Sequence, residues 1–236
     1  MRARRTEIDR VRTLTSPPDR TLAVIDPSVQ QRFPDYTAAV VVASNVQNGP
    51  PDGHGDELLR AAEASLRARA LAKAADDPHI AAWRAAFSAF GAKPSRFPCS
   101  AEALASRVLK GGELPRVNRL VDIYNAISVT HLVPVGGEDA DRIAGTPRLV
   151  LADGSELFDG PDGPPKPGEV VWRDDEAVTC RRWNWRQGRR TALTDETSRA
   201  LFILDALAPA SPEPALADLI AELEAGWPGC AIERLV

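Results

Sequence analysis

Polar side chains set inside apolar runs constrain this chain more than any other feature. Between Val117 and Ser128 the sequence intersperses Asn118, Asp122, Asn125 and Ser128 among valine, leucine and isoleucine. A second run of this kind, Cys180-Arg-Arg-Trp-Asn-Trp-Arg186, lies downstream. A polar group removed from water needs a partner, or its burial costs stability. Two such runs in apolar context therefore point to one shared pocket, and function is to be sought there.

The 236 residues suffice for one large domain, and a hydrophobic content of 44% supports a packed core. A net charge of -4 excludes a uniformly basic nucleic-acid coat, while a local basic patch still allows RNA contact. Cys99, Cys180 and Cys230 are widely spaced and form no C-x-x-C pair, which argues against a disulfide framework and a zinc ribbon. The charged segment Met1–Arg12 has no apolar core of a signal peptide, and the apolar run around Ala38–Ala43 is too short to span a bilayer. The expectation is a cytoplasmic protein with no membrane association.

The pattern predicts a loose tail over residues 1–18 and one domain over 19–236. Strands are predicted at Thr21–Ile25 and Thr37–Val42, and helices at Asp56–Ala75 and Pro78–Phe90. In the second helix Ile80, Trp83, Phe87 and Phe90 share a face. A helix capped by Ser100 runs to about Lys110 and stops at Gly111-Gly112, and another covers Val117–Ser128. Pro134–Ala144 reads as an acidic, turn-rich loop. Short strands follow at Arg148–Leu151, Glu156–Phe158, Glu169–Trp172, Ala177–Arg182 and Arg199–Ala206, and Ala215–Trp227 is a closing helix. Helices followed by strands argue for an α+β fold on mixed or antiparallel sheets.

Several chemistries are weighed on these residues. Ser100, Ser128 and Ser155 lie outside any G-x-S-x-G. His54 and His79 sit in turn contexts and read as surface residues, while His131 lies between the polar run and the Gly-Gly-Glu-Asp segment. Cys99 precedes a helix start, which would activate a thiol and could pair it with His131; a small buried thiol is the plainer reading. Glu138, Asp139 and Asp141 match no calcium loop, and the glycine pairs match no phosphate loop, so neither metal nor cofactor is expected. Arg181, Arg182, Arg186, Arg189 and Arg190 with Trp183 and Trp185 suit RNA, arginine for phosphate and aromatics for bases. In a strand, Trp183 and Trp185 would share one face and Arg182, Asn184 and Arg186 the other. Equally, the tryptophans are core and the arginines pair with Asp174, Asp175 or Glu176. A third reading points Asn184 and Arg186 into a small-molecule pocket.

At Val121-Asp-Ile-Tyr-Asn125, followed by Pro134-Val-Gly-Gly-Glu-Asp139, the chain resembles the V-D-x-x-N helix and turn of the B3/B4 domain. That domain is the editing module of the bacterial phenylalanyl-tRNA synthetase beta subunit. Asp195-Glu-Thr197 before Ala200–Asp205 resembles the D-E-T segment near that domain's end. Lys93-Pro-Ser-Arg, Ser100-Ala-Glu102, Pro115-Arg-Val-Asn118, Gly168-Glu169 and Arg182-Trp-Asn-Trp-Arg186 look like free-standing members of the family. The resemblance spans roughly Pro78–Leu207. It implies an α+β fold of unusual sheet topology and hydrolysis of an amino acid wrongly esterified to tRNA, by water and without an obligatory covalent intermediate. The family's glutamate for the tyrosine hydroxyl falls here near Arg189 and Arg190, and the histidine of its Pro-x-His turn is replaced by Gly136 or Gly137. No synthetase catalytic core is recognised in the sequence, so aminoacylation is not the expected activity.

The function expected from this resemblance is a trans-editing deacylase acting on the 3′ aminoacyl end of a mischarged tRNA. Asn125 and Asn184, then Asn118, are the candidates to orient water or the ester carbonyl. Glu138 or Glu169 would receive the α-ammonium or act as base. Arg182, Arg186, Asp122, Ser128, His131 and Trp185 are the candidates for substrate or RNA contact. A non-catalytic tRNA- or RNA-binding module and an amino-acid-binding protein are the alternatives.

Overall fold

The computed structural model describes residues 23–236; the predicted tail lies outside the described residues. The chain runs through β1 (Val24–Ile25), α1 (Pro27–Arg32), β2 (Tyr36–Ser44), α2 (Gly53–Ala68), α3 (Pro78–Ala89), α4 (Ser100–Leu109) and α5 (Arg119–His131). It continues with β3 (Val135–Asp139), β4 (Arg148–Leu151), β5 (Val170–Arg173), β6 (Val178–Arg181), β7 (Arg186–Gln187), β8 (Arg199–Leu207), α6 (Glu213–Gly226) and β9 (Ala231–Arg234). One sheet has the order β3-β8-β2-β9 and is antiparallel throughout. The other has the order β1-β4-β5-β6-β7, with β1 parallel to β4 and the remaining pairs antiparallel. The architecture is α+β, with helices on mixed and antiparallel sheets.

Strand periodicity sorts the first sheet into two faces. Ala39, Val41 and Ala43 of β2, with Ala200, Phe202 and Leu204 of β8, face α5 and α6. Ala38, Val40 and Val42, with Leu201 and Ile203, face the larger core, where Trp172 of the second sheet and Trp83 and Phe87 of α3 pack. The space between the two sheets on this side holds the pocket described below.

Helix α5 is buried on every side from Leu120 to Val129. Three of its buried polar residues are satisfied by backbone partners. Asn118 caps the helix by accepting from Val121 N at 3.0 Å, Asp122 accepts from Val117 N at 2.8 Å, and Ser128 donates to Val133 O at 2.7 Å.

Four local expectations are corrected. The cap of α4 is Cys99, whose Sγ accepts from Glu102 N at 3.4 Å, and not Ser100. Helix α2 begins earlier than predicted, with Asp52 accepting from Gly55 N at 2.9 Å, and ends at Ala68, before Ala70 turns left-handed. Pro134–Ala144 is not simply a loop: residues Val135–Asp139 form edge strand β3, paired with β8. Its glycines misled the reading, and Gly137 is there because a Cβ would come within 2.8 Å of Leu193 Cδ1 and 2.9 Å of Tyr124 Cε1. Glu156–Phe158 is not a strand; the Glu156 carboxylate accepts from the backbone of Asp153 and Gly154, both at 2.9 Å, and folds the segment into a turn. Elements α1, β7 and β9 had no counterpart in the sequence pattern. Among the described residues no helix is long and apolar enough to cross a membrane.

Candidate functional site

Strand β6 returns into β7 through a tight turn at Arg182–Trp185. Arg182 and Trp183 both adopt left-handed backbone angles, φ 45° and 65°. That conformation costs a residue with a Cβ about 1–3 kcal/mol and persists only where the surroundings hold it. Here Trp183 is fully buried, with its ring 4.8–5.1 Å from those of Phe33, Tyr36 and Trp83. The consequence is directional. Trp183 fills the core, Trp185 is pushed outward beside Phe97, and Asn184 is aimed inward at Asp205. The two tryptophans therefore do not share a strand face, contrary to the strand reading of this segment.

Asn184 lines a pocket of about 280 Å³ between the two sheets. Its floor is the β3–β8 pair, with Gly136, Glu138, Ile203 and Asp205 on one face. Trp172, Cys180 and Gln187 close it from the second sheet, Ser100 and Leu104 from α4, and Tyr124 and Asn125 from α5. A Cβ on Gly136 would meet nothing within 4 Å, so the missing side chain leaves the middle of the floor bare.

Two carboxyl groups end this floor. Asp205 is 2% exposed; Tyr36 Oη donates to its Oδ1 at 2.6 Å and Asn184 Nδ2 to its Oδ2 at 3.2 Å. Burial pushes its pKa up to about 6, against the pull of those donors. Glu138 is 3% exposed, and burial pushes it up to about 7. Glu138 Oε2 and Asn184 Oδ1 are buried without hydrogen-bond partners. Orphan acceptors of this kind in a pocket are what a donor-bearing ligand satisfies. The Cys180 thiol is held well above its ordinary range, by burial first and then by both carboxyls.

Outside the pocket, the same turn builds a basic ledge. The Arg182 guanidinium lies 3.8 Å from the Phe97 ring centroid and 4.5 Å from that of Trp185. Arg186 lies 4.7 Å from the Trp185 centroid and Arg96 5.1 Å from that of Phe97. Arg182 is itself buried, 8% exposed and 3.9 Å from Glu169, so it orders the aromatic pair, and the exposed charge of the ledge is that of Arg96 and Arg186, the latter 3.7 Å from Asp162.

Residues 82–213 match the family model of the B3/4 domain. The chain belongs to the B3/4 domain family. Among solved structures it is similar to an N-terminal fragment of the phenylalanyl-tRNA synthetase beta-subunit from Pyrococcus horikoshii, with a TM-score of 0.48 and 11% identity. That similarity covers 91% of this chain and 50% of the other, so the chain spans half the length of that fragment. A comparison with curated proteins returns no match.

In this B3/4 domain, Asn125, Asn184, Glu138 and Trp185 come together at the pocket, with Arg182 and Arg186 on the ledge beside it. Asn118, Asp122 and Ser128 tie α5 to its flanking backbone instead of lining the pocket. His131 sits at the other end of α5, its Nε2 2.7 Å from Asp218 Oδ2 on α6. Glu169 is held by Arg181, with Nε to Oε1 at 2.9 Å and Nη2 to Oε2 at 2.8 Å, and also accepts from Arg182 N. It is a buried structural anion and is not free to act as a base. Of the acidic partners expected for the arginine cluster, Asp174 and Glu176 hold Arg190, at 2.7 and 3.6 Å. The Cys99 thiol is pushed up to about 12 by burial, so the helix start does not activate it. Asp205 and Gly136 were missed. A lone aspartate inside Leu201-Phe-Ile-Leu-Asp-Ala-Leu207 was the available signal for the first, and Gly136 was read as part of a turn. Among the described residues no cluster of metal-ligating side chains gathers.

Proposed function

We propose that this B3/4 domain hydrolyses the ester of a mischarged aminoacyl-tRNA, holding the aminoacyl group in the pocket and the 3′ end of the tRNA on the basic ledge. The observation that carries the reading is the turn Arg182–Trp185. One short segment and the residue after it supply Asn184 to the inside of an amino-acid-sized pocket and Trp185 and the exposed Arg186 to the ledge at its side. An aminoacyl ester is already activated, so a positioned water and a hydrogen-bond donor to the carbonyl suffice. Asp205 receives the α-ammonium, and the adjacent Asn184, with Asn125 across the pocket, orients water and carbonyl. The thiols of Cys99 and Cys180 are both pushed above their ordinary range, which supports attack by water over attack by a cysteine.

The test is hydrolysis of a panel of mischarged aminoacyl-tRNAs by the purified chain. Asn184→Ala is expected to lower the rate by about 10²–10³, the loss typical of one carbonyl-stabilising donor. Its stability should fall by no more than the ~0.5–1.5 kcal/mol of a single hydrogen bond. Full activity in the variant refutes the assignment of Asn184. No hydrolysis across the panel leaves a binding module, for which the arginine ledge predicts tRNA affinity that falls steeply with salt.

A further inference from the structure

The pocket's electrostatics narrow what it can hold. Two carboxyl groups line it, and no lysine, arginine or histidine does. The neighbouring arginines are committed elsewhere, Arg181 to Glu169 and Arg190 to Asp174. The strand register fixes where the carboxyls stand. Asp205 N bonds to Pro134 O, Glu138 pairs with Leu201, and Gly136 pairs with Ile203 midway between them. Asp205 and Glu138 are thus on one face, roughly 13 Å apart along the strands at the usual rise per residue. The bare Gly136 lies between them. Cys180 feels the charge of both.

We infer that the pocket takes a ligand with an ammonium group at each end, and, resting on the aminoacyl-end reading above, that the accepted amino acid has an amine side chain of about lysine length. A buried carboxylate without a counter-ion is costly, and an empty pocket lowers that cost by taking up protons. A ligand ammonium replaces the proton with a charge-assisted hydrogen bond. Esterification removes the carboxylate of an amino acid, so a lysine-type aminoacyl group brings two positive charges to two carboxyls. The α-ammonium sits at Asp205 and Asn184, beside the ledge. The side chain lies over Gly136, and its terminal ammonium reaches the orphan Oε2 of Glu138. An apolar side chain leaves Glu138 unpaired, and an acidic one meets a like charge.

Titration calorimetry on the full chain at neutral pH tests this with lysinamide, norleucinamide, free lysine and cadaverine. Lysinamide is expected to bind at least tenfold more tightly than norleucinamide, which lacks only the terminal amine, and more tightly than free lysine, which keeps its carboxylate. Glu138→Gln should erase the preference over norleucinamide, Asp205→Asn should weaken both amides, and Gly136→Val should block both by filling the floor. Circular dichroism melts establish that each variant is folded. Norleucinamide binding as tightly as lysinamide, or no binding of any probe, overturns the inference. Cadaverine matching lysinamide overturns the amino-acid source in favour of a free diamine. Lysinamide selectivity without ester hydrolysis refutes the deacylase reading alone. Hydrolysis of an apolar aminoacyl-tRNA without lysinamide selectivity refutes this inference alone.

Discussion

Adjacent glycines of β3 should respond to the same substitution with opposite signs. Gly136 has no atom within 4 Å of an added Cβ, and its backbone is not in the left-handed region. Glycine within a strand is less stable than alanine by roughly 0.5–1 kcal/mol, because the unfolded chain loses more freedom. Gly136→Ala should therefore stabilise by that amount, about 1–4 °C in Tm for a domain of this size. Gly137 is the reverse case: its Cβ would lie 2.8 Å from Leu193 Cδ1 and 2.9 Å from Tyr124 Cε1. Both neighbours are side chains packed against the core under α5 and α6, and each must shift to admit the methyl group. Overpacking of this kind costs about 1–3 kcal/mol, and Gly137→Ala should melt some 2–12 °C lower. The functional readout separates the pair further. Gly136→Val places a branched side chain in the pocket and should abolish ligand binding and ester hydrolysis in a protein at least as stable as the parent. Urea denaturation and calorimetric melts measure the stabilities, and deacylation measures the consequence. If Gly136→Ala destabilises as much as Gly137→Ala, the floor is not open and the pocket described here is not the site.

Three further outcomes follow from the buried charges and thiols. Glu169→Gln leaves Arg181 buried and unpaired, and breaking such a pair typically costs about 3–5 kcal/mol, to be read from urea denaturation; a change under about 1 kcal/mol would show that the pair is dispensable. Cys99 should resist a thiol-specific reagent at neutral pH until the protein is denatured, since burial pushes its pKa up to about 12; rapid labelling of the native protein would contradict its role as a buried cap. Burial raises Glu138 from 4.5 to about 7, so the folded state holds the proton more tightly than the unfolded one. The corresponding stabilisation is present below pH 4.5 and is lost as pH rises through 7, about 3 kcal/mol in all. Glu138→Gln should flatten the stability-against-pH curve in that window, and an unchanged slope would place the titration elsewhere.

Much of the fold was legible because its segments obey one period each. The valines of β2, the amphipathic α3 and the closing α6 all read correctly from spacing alone. The errors fall where tertiary packing overrides local chemistry. Glycine is normally a turn signal, yet Gly137 is in a strand because α5 leaves no room for a Cβ. Arg182 and Trp183 look like strand residues, yet they turn left-handed because Trp183 is claimed by the aromatic core. The candidate site divides the same way. The idea that buried polar residues mark a pocket served for Asn125 and Asn184 but also selected Asn118, Asp122 and Ser128, whose partners are backbone groups a few residues away. Sequence alone cannot distinguish a polar residue satisfied by its own helix from one left facing a cavity. Orphaned acceptors alone do not make the distinction, since Asp122 Oδ2 lacks a partner too; Glu138 Oε2 and Asn184 Oδ1 differ in being orphaned on residues that line a cavity. What sets the proposed site apart is the coincidence of orphaned acceptors with a cavity and with two buried carboxyl groups, Asp205 and Glu138, and that coincidence is what the ligand titrations probe.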